Sequence, residues 1–341
     1  MPVRVAINGF GRIGRCVVRA GWNRSDIEFV HINDLTDDTM LAYLLAHDSV
    51  HGRWGVPVEV VDGGMRIGDR VIPTSAEKDA SKLPWAALGV DVVLECTGVM
   101  TSKDKASAHL AAGAKRVIIS APGTNVDGTF VMGVNHTDFD PAVHTVVSNA
   151  SCTTNCLAPV AKVLHEAFGI EHGLMTTVHS YTMDQNLLDA PHRKGDPRRA
   201  RAAAVNMVPS STGAAKAIGL VLPALSGRLD GMSMRVPTPN GSIIDLVCQV
   251  SRDTTREEVN ALLAQAAAGP LAGVLEVRDE PLVSSDIIGN PASSIVDAEL
   301  TQVRGGRMVK VMSWYDNEWG FSNRMLDLVA WMSRPSEQAG A

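Results

Sequence analysis

Short apolar runs rich in β-branched residues alternate with helix-patterned segments through the first half of the chain. Val3 to Asn8 reads as a strand, and Gly11 to Ala20 as the helix after it. Phe29 to Asp34 is a second strand, followed by a helix over Asp37 to Ala46. Val90 to Glu95, Arg116 to Ser120 and Thr145 to Ser148 continue the buried-strand pattern. A helix over Ser102 to Ala112 lies between two of them. Strands alternating with helices predict βαβ units on a parallel sheet. Right-handed crossovers then place a ligand at the carboxyl ends of the strands.

The pattern changes at Cys152. Thr153 to Phe168 reads as a helix and Leu174 to His179 as a strand. A polar stretch without periodicity runs from Ser180 to Arg201. A loop that long inside a compact domain is usually functional. Longer strand signals follow at Met232 to Val236, Ser242 to Val250 and Met308 to Tyr315, and Glu318 to Ser333 has the spacing of an amphipathic helix. The expected architecture is an α/β domain joined to an α+β domain with a mainly antiparallel sheet; the motifs and the resemblance given below make the first a Rossmann dinucleotide-binding domain and the second a catalytic domain. The expected boundaries are 1–151 for the first, completed by a C-terminal helix over 317–341, and 152–316 for the second. The end, Pro335 to Ala341, reads as a frayed tail.

The chain has 341 residues, enough for about two domains. With 45% apolar and 20% charged residues, its balance is that of a soluble globular protein that buries a sizeable core. A net charge of −6 argues against nucleic acid as a partner. The one basic cluster is local, Arg193 to Arg201. No run of about 18 apolar residues suggests a membrane span. The N-terminus shows no leader pattern. Five scattered cysteines make a poor disulfide framework and contain no Cys-x-x-Cys pair. The expectations are reduced thiols, a cytoplasmic location, and neither metal nor membrane contact.

Two segments carry chemistry. Gly9-Phe10-Gly11-Arg12-Ile13-Gly14 fits G-x-G-x-x-G between a strand and a helix. In that context Gly9 permits the tight turn, Gly11 lets a pyrophosphate approach the backbone, and Gly14 lets helix and strand pack closely. The phosphates would rest on the helix N-terminus. Asp34, twenty residues after Gly14, ends the next strand, where a carboxylate accepts from the adenosine ribose. The second segment is Ser148-Asn-Ala-Ser-Cys152-Thr-Thr-Asn-Cys156, which joins a strand to a helix. A thiol at a helix start has its thiolate favoured by the dipole. Buried cysteine is common, so Cys152 alone reads equally well as packing. His179, at a strand end, supplies a candidate general base. His47, His51, His109, His136, His144, His165 and His172 read as surface or packing residues.

Ser148 to Pro159 resembles the active-site signature of the glyceraldehyde-3-phosphate dehydrogenase family. So do Asn8-Gly-Phe-Gly-Arg-Ile-Gly-Arg15, Pro209-Ser-Ser-Thr-Gly-Ala-Ala-Lys216, Arg235-Val-Pro-Thr-Pro-Asn240 and Trp314-Tyr-Asp-Asn-Glu318. These segments occur in the family's order and span nearly the whole chain. The resemblance implies Cys152 as nucleophile and His179 as its base. It implies Asn317 as the group that orients the nicotinamide carboxamide. Thr182 and Arg235 would hold the phosphate of the aldehyde. Ser151, Thr212, Gly213 and Arg199 would hold the attacking inorganic phosphate, with Thr153 beside them. Gly9, Phe10, Gly11, Arg12, Ile13, Gly14, Asp34 and Ser120 would line the cofactor, NAD, with some NADP use. A homotetramer is the family's usual assembly. Three positions depart from the family pattern. Lys194-Gly-Asp-Pro197 makes the loop about two residues longer, Gly241 stands where valine is usual, and Gly123 falls at a variable place.

The implied reaction is phosphorylating oxidation of glyceraldehyde 3-phosphate to 1,3-bisphosphoglycerate through a thioester on Cys152. An erythrose-4-phosphate dehydrogenase is the nearest alternative, disfavoured by the intact His179-Ser-Tyr-Thr182. A non-catalytic NAD-binding scaffold is the alternative of a different class, disfavoured by the intact Cys152, His179 and Arg235. For the cofactor, Asp34 favours NAD. Ala190-Pro191 is intermediate between the Leu-Pro of strict NAD enzymes and the Ala-Ser of those accepting NADP.

Overall fold

The computed structural model describes residues 1–334, so the tail expected from Pro335 and the last part of the 317–341 helix lie outside the described residues. The chain divides into two compact units. One is Met1–Ser151 together with the chain from Ser322 onward; the other is Cys152–Phe321.

The first unit is built on a nine-stranded sheet. Val3–Asn8 lies at its centre, parallel to Ile27–Asn33 on one side and Val92–Glu95 on the other. Arg116–Ile119 and then Val146–Ser148 extend the parallel set. The central strands are buried over nearly their whole length, which is why they read as continuous apolar runs. Beyond Ile27–Asn33 the sheet continues into an antiparallel meander, Val58–Val61, Gly64–Ile67 and Arg70–Ser75. The sequence reading has no strands there. Val58–Val61 is mostly exposed, so its pattern is not that of a buried run. The turn Asp62-Gly63, with Gly63 at φ +76°, is the Asp-Gly hairpin signal that marks it.

The helix expected over Ser102 to Ala112 is two short helices, Lys103–Ala106 and Ala108–Ala111. At the break the Ser107 hydroxyl donates to the Lys103 carbonyl at 2.8 Å, a local bond that competes with the helix ladder.

The second unit carries an eight-stranded sheet. Ile170–Ser180, Ser242–Val250 and Met308–Tyr315 pair antiparallel, as the sequence suggests. Two pairs are parallel instead. Ile170–Ser180 runs beside Leu229–Val236, and Leu275–Arg278 beside Ser294–Asp297. The sheet is therefore mixed, with antiparallel pairing in the majority. Helix Cys152–Phe168 buries Cys156, Leu157, Val160, Ala161 and Leu164. The opposite face of the sheet leaves Leu174 and Met308 exposed, at 68% and 51%.

Gly241 has φ +83°, and a Cβ there would stand 2.4 Å from the Ser284 carbonyl oxygen. A branched side chain does not fit this backbone, which accounts for the glycine at this departure from the family pattern. Asp316 anchors the last helix, Trp319–Met332, by accepting from the Glu318 and Trp319 amides at 2.9 and 2.8 Å. The division between the units falls inside this helix.

Candidate active site

Cys152 is the first residue of helix Cys152–Phe168. The chain enters that helix through Ala150, one of two non-glycine residues with positive φ among the described residues, at +58°. The turn is held by Ser148, whose hydroxyl accepts from the Ala150 amide at 3.0 Å and donates to the Ala121 carbonyl at 2.7 Å. A strained residue held by its surroundings is characteristic of functional turns.

His179 lies one residue from the end of Ile170–Ser180, and its Nε2 is 3.5 Å from the Cys152 sulfur. The structure thus brings together a thiol and an imidazole 27 positions apart. Arg235 stands opposite His179 in the parallel pair. Its Nη1 lies 2.8 Å from His179 Nδ1, and donates to the Ser180 carbonyl at 3.0 Å and to the Thr182 hydroxyl at 3.2 Å. Nδ1 is also 2.7 Å from the Ser180 carbonyl. These contacts define two tautomers. With Nδ1–H donated to Ser180, Nε2 faces the sulfur as a base. With Nδ1 accepting from Arg235, Nε2–H faces the sulfur as a donor.

Burial, and then the Arg235 guanidinium, push His179 down to about 3, so the imidazole is neutral near neutral pH. Burial pushes the Cys152 thiol up, against the pull of Arg235, of Thr153 and of its own helix-start amide. The thiolate expected from the helix dipole alone is therefore opposed by burial, and the balance favours the neutral thiol–imidazole pair. Burial lifts Cys156 to about 12. Its sulfur is 3.7 Å from the Ser294 hydroxyl and 3.6 Å from the Ser313 carbonyl, in the core.

Asn317 Oδ1 accepts from both the Ser180 and Ser242 hydroxyls at 2.8 Å, which turns its NH₂ away from them. Thr182 and Arg199 both donate to Asp184, and the third Arg199 nitrogen, Nη2, reaches the Ser211 carbonyl at 3.3 Å. Thr212 accepts from the Ala214 amide at 3.1 Å, and Gly213 is the cap of helix Ala214–Val221. Ser151 directly precedes the cysteine helix. Thr153 is buried, with its hydroxyl 2.9 Å from the Tyr315 hydroxyl and its side chain in hydrogen-bond contact with the Cys152 thiol.

In the first unit, Gly9 has φ +93° and a Cβ there would lie 2.5 Å from the Thr97 amide. At Gly14 a Cβ would meet the Gly9 carbonyl at 2.4 Å, while over Gly11 nothing lies within 4 Å. The N-terminus of helix Arg12–Gly21 has no side-chain cap. An open space over uncapped first-turn amides fits a pyrophosphate. Phe10 and Ile13 belong to this turn, with Phe10 fully buried. Asp34 accepts from the Phe10 amide at 2.7 Å and the Thr36 amide at 2.9 Å. Arg12 pairs with Asp48 at 2.6 Å. The Ser120 amide donates to the Glu95 carbonyl at 3.0 Å. A groove of about 440 Å³ runs past Gly9, Gly11 and Asp34 to Lys78, Cys96 and Thr97.

Sequence reasoning missed Lys78 and Thr97, which follow strand ends without a motif of their own. It also missed what holds Thr97. Glu95 accepts from the Thr97 amide at 2.9 Å and from Asn8 Nδ2 at 2.6 Å, and lies 3.0 Å from His109 Nε2. Trp85 donates to His109 Nδ1 at 3.0 Å, so the Nε2 proton points at Glu95. His109 is thus a fully buried pivot rather than a surface residue.

Comparison with known proteins agrees with this geometry. Residues 3–103 match the glyceraldehyde 3-phosphate dehydrogenase NAD binding domain, and residues 151–317 match that family's C-terminal domain. The chain belongs to the glyceraldehyde-3-phosphate dehydrogenase family. It is 61% identical over 325 residues to glyceraldehyde-3-phosphate dehydrogenase of Kitasatospora aureofaciens, covering 95% of this chain and 97% of that protein. It is 58% identical to glyceraldehyde-3-phosphate dehydrogenase 1 of Streptomyces avermitilis, over 96% of this chain and 98% of the relative. Against glyceraldehyde-3-phosphate dehydrogenase 1 of Bacillus subtilis the identity is 57%, over 98% and 99%. As a member of this family it is an NAD-dependent oxidoreductase, with the family's NAD-binding domain and catalytic domain.

Proposed function

We propose that the protein catalyses the phosphorylating oxidation of glyceraldehyde 3-phosphate, with Cys152 as nucleophile and His179 as base. The observation that carries this reading is the 3.5 Å approach of the Cys152 sulfur to His179 Nε2, with Arg235 beside the imidazole. His179 draws the thiol proton as sulfur adds to the aldehyde carbon, giving a hemithioacetal. The Cys152 amide and the imidazolium stabilise the oxyanion. The imidazolium returns its proton to that oxygen, and neutral His179 then takes the hydroxyl proton again as the carbon is oxidised, leaving a thioester on Cys152. When bound, NAD supplies the hydride acceptor. Gly9, Gly11 and Gly14 fit its pyrophosphate, Asp34 its ribose, and Asn317 its carboxamide. Thr182 and Arg235 hold the phosphate of the aldehyde. Ser151, Arg199, Thr212 and Gly213 hold inorganic phosphate, which attacks the thioester and releases the acyl phosphate. Arginine and hydroxyl donors suit both anions.

Turnover is expected to require inorganic phosphate or arsenate in its place. Steady-state rates measured with phosphate, with arsenate and with neither provide the check. A rate unchanged by omitting both means the thioester is hydrolysed to an acid, and the phosphorylating reading fails.

NAD is expected to be preferred over NADP. A 2′-phosphate beside the Asp34 carboxylate costs on the order of 1–4 kcal/mol in a partly desolvated groove. Lys78 in the same groove tempers the preference. The ratio of kcat/KM for the two cofactors should exceed one, and Asp34→Ala should lower it. A ratio that does not respond to this substitution removes Asp34 from the ribose.

The family's homotetramer is supported by apolar residues exposed in the second unit. Leu174 and Met308 lie on the open sheet face, Met183, Leu187 and Leu188 in the long loop, and Met207 just before strand Val208–Ser211. Sedimentation at micromolar concentration tests it, and a monomer there removes it. A cytoplasmic setting accords with five cysteines in the free state.

A further inference from the structure

Among the charged groups of the second unit, Asp184 is placed where the proposed reaction has no evident use for it. Its Oδ1 accepts from the Thr182 hydroxyl and its Oδ2 from Arg199 Nη1. One carboxylate therefore occupies a donor from each of the two anion sites. Asp184 is partly enclosed, with a side chain 24% exposed beside an Arg199 side chain that is 20% exposed. Burial opposes its ionisation, but the Thr182 hydroxyl and the charges of Arg235 and Arg199 outweigh it and hold the carboxyl below its usual range.

The hydrogen-bond inventory makes this occupation exclusive at Thr182. Thr182 has a single hydroxyl hydrogen, and it points at Asp184. Its oxygen meanwhile accepts from Arg235 at 3.2 Å. A phosphate can accept from Thr182 only after that hydrogen leaves Asp184. Arg199 is engaged but not filled, since two of its five N–H groups carry hydrogen bonds. Besides Asp184, its Nε is 3.4 Å from the Asp196 carboxylate and its Nη2 donates to the Ser211 carbonyl. An arriving phosphate finds the guanidinium already neutralised, with a fixed negative charge next to it.

We propose that Asp184 is an internal carboxylate that competes with phosphate at both anion sites and thereby sets how weakly each anion is held. The inference rests on the assignment of Thr182 and Arg199 to those sites. The competition lowers apparent affinity by the fraction of time the donors are engaged, as any closed state does. It falls hardest on a product bearing two phosphoryl groups, because such a product meets the Asp184 carboxylate at Thr182 and at Arg199 together. Asp184 is thus a positioning residue that favours product release over anion retention.

Asp184→Asn keeps the shape and removes the charge. The expected result is a KM for inorganic phosphate lowered roughly three- to tenfold, and a Ki for sulfate lowered alongside it, from loss of one adjacent like charge. Asp184→Ser should act in the same direction, and it decides the question if the asparagine variant does not fold. Asp184→Glu retains the charge and should show no such tightening. An unchanged or raised phosphate KM in a folded neutral variant overturns the proposal, because a residue that merely braces Arg199 would weaken phosphate binding when altered. Arg199→Ala separates the two readings. If it leaves the phosphate KM unchanged, the site assignment itself fails. If it raises that KM while neither neutral variant lowers it, only the role of Asp184 fails.

Discussion

Cys152→Ser is expected to abolish dehydrogenase turnover, by roughly four orders of magnitude or more, while leaving NAD affinity within about twofold. The hydroxyl keeps the size of the thiol and sits at the same helix start, but neutral His179 cannot ionise an alcohol as it does a thiol. The cradle of Gly9, Gly11, Gly14 and Asp34 lies in the other unit and is untouched. Stopped-flow detection of the reduced cofactor, with calorimetric titration of NAD, measures the two quantities. Substoichiometric iodoacetamide should label Cys152 in the unaltered enzyme and spare Cys156, whose thiol is raised to about 12 and enclosed in the core. Residual turnover of a few per cent in the serine variant, or first labelling at Cys16, Cys96 or Cys248, would remove Cys152 from the nucleophile's role.

Arg235→Ala should lower kcat/KM for the phosphorylated aldehyde by about 2–5 kcal/mol, the range for deleting one member of a buried charged contact. Two effects combine. The aldehyde's phosphate loses its cation, and the pair beside it loses a nearby positive charge. Arg235 depresses His179 and also pulls down the Cys152 thiol. Its removal therefore lets both rise, and the pH profile of Cys152 alkylation should move to higher pH, since only the deprotonated sulfur reacts. Kinetics with the aldehyde and alkylation rates across pH test the two parts separately. A loss below about threefold with an unmoved profile would place the substrate phosphate elsewhere.

Much of the fold was legible because its signals are local. The buried parallel strands of the first unit announce themselves as continuous β-branched runs, and the glycine fingerprint gains meaning from the strand before it and the helix after it. The Val58–Val61 meander escaped because its exposed positions break the run, although Asp62-Gly63 marked its turn. The parallel pairing of Ile170–Ser180 with Leu229–Val236 is a long-range choice that no window of sequence contains. The site divides in the same way. Cys152 and His179 stood out by residue type and by position at element ends, and the family resemblance supplied the rest. Asp184 and the Trp85–His109–Glu95 chain did not, because each matters only through neighbours distant in sequence. The thiol's environment also depends on burial, which a helix-start position alone does not reveal.

The parallel register that sets His179 level with Arg235 has a bearing on which sugars react. The base and the cation that grips the substrate's far end project from adjacent strands, whose separation is about 4.8 Å in any sheet. Both stand on paired strands rather than in the long loop, so their backbone spacing is set by the register. The sheet works as a gauge for chain length. On the proposed roles of His179 and Arg235, a tetrose phosphate, longer by one carbon, and a two-carbon aldehyde phosphate are both expected to react more slowly than the triose.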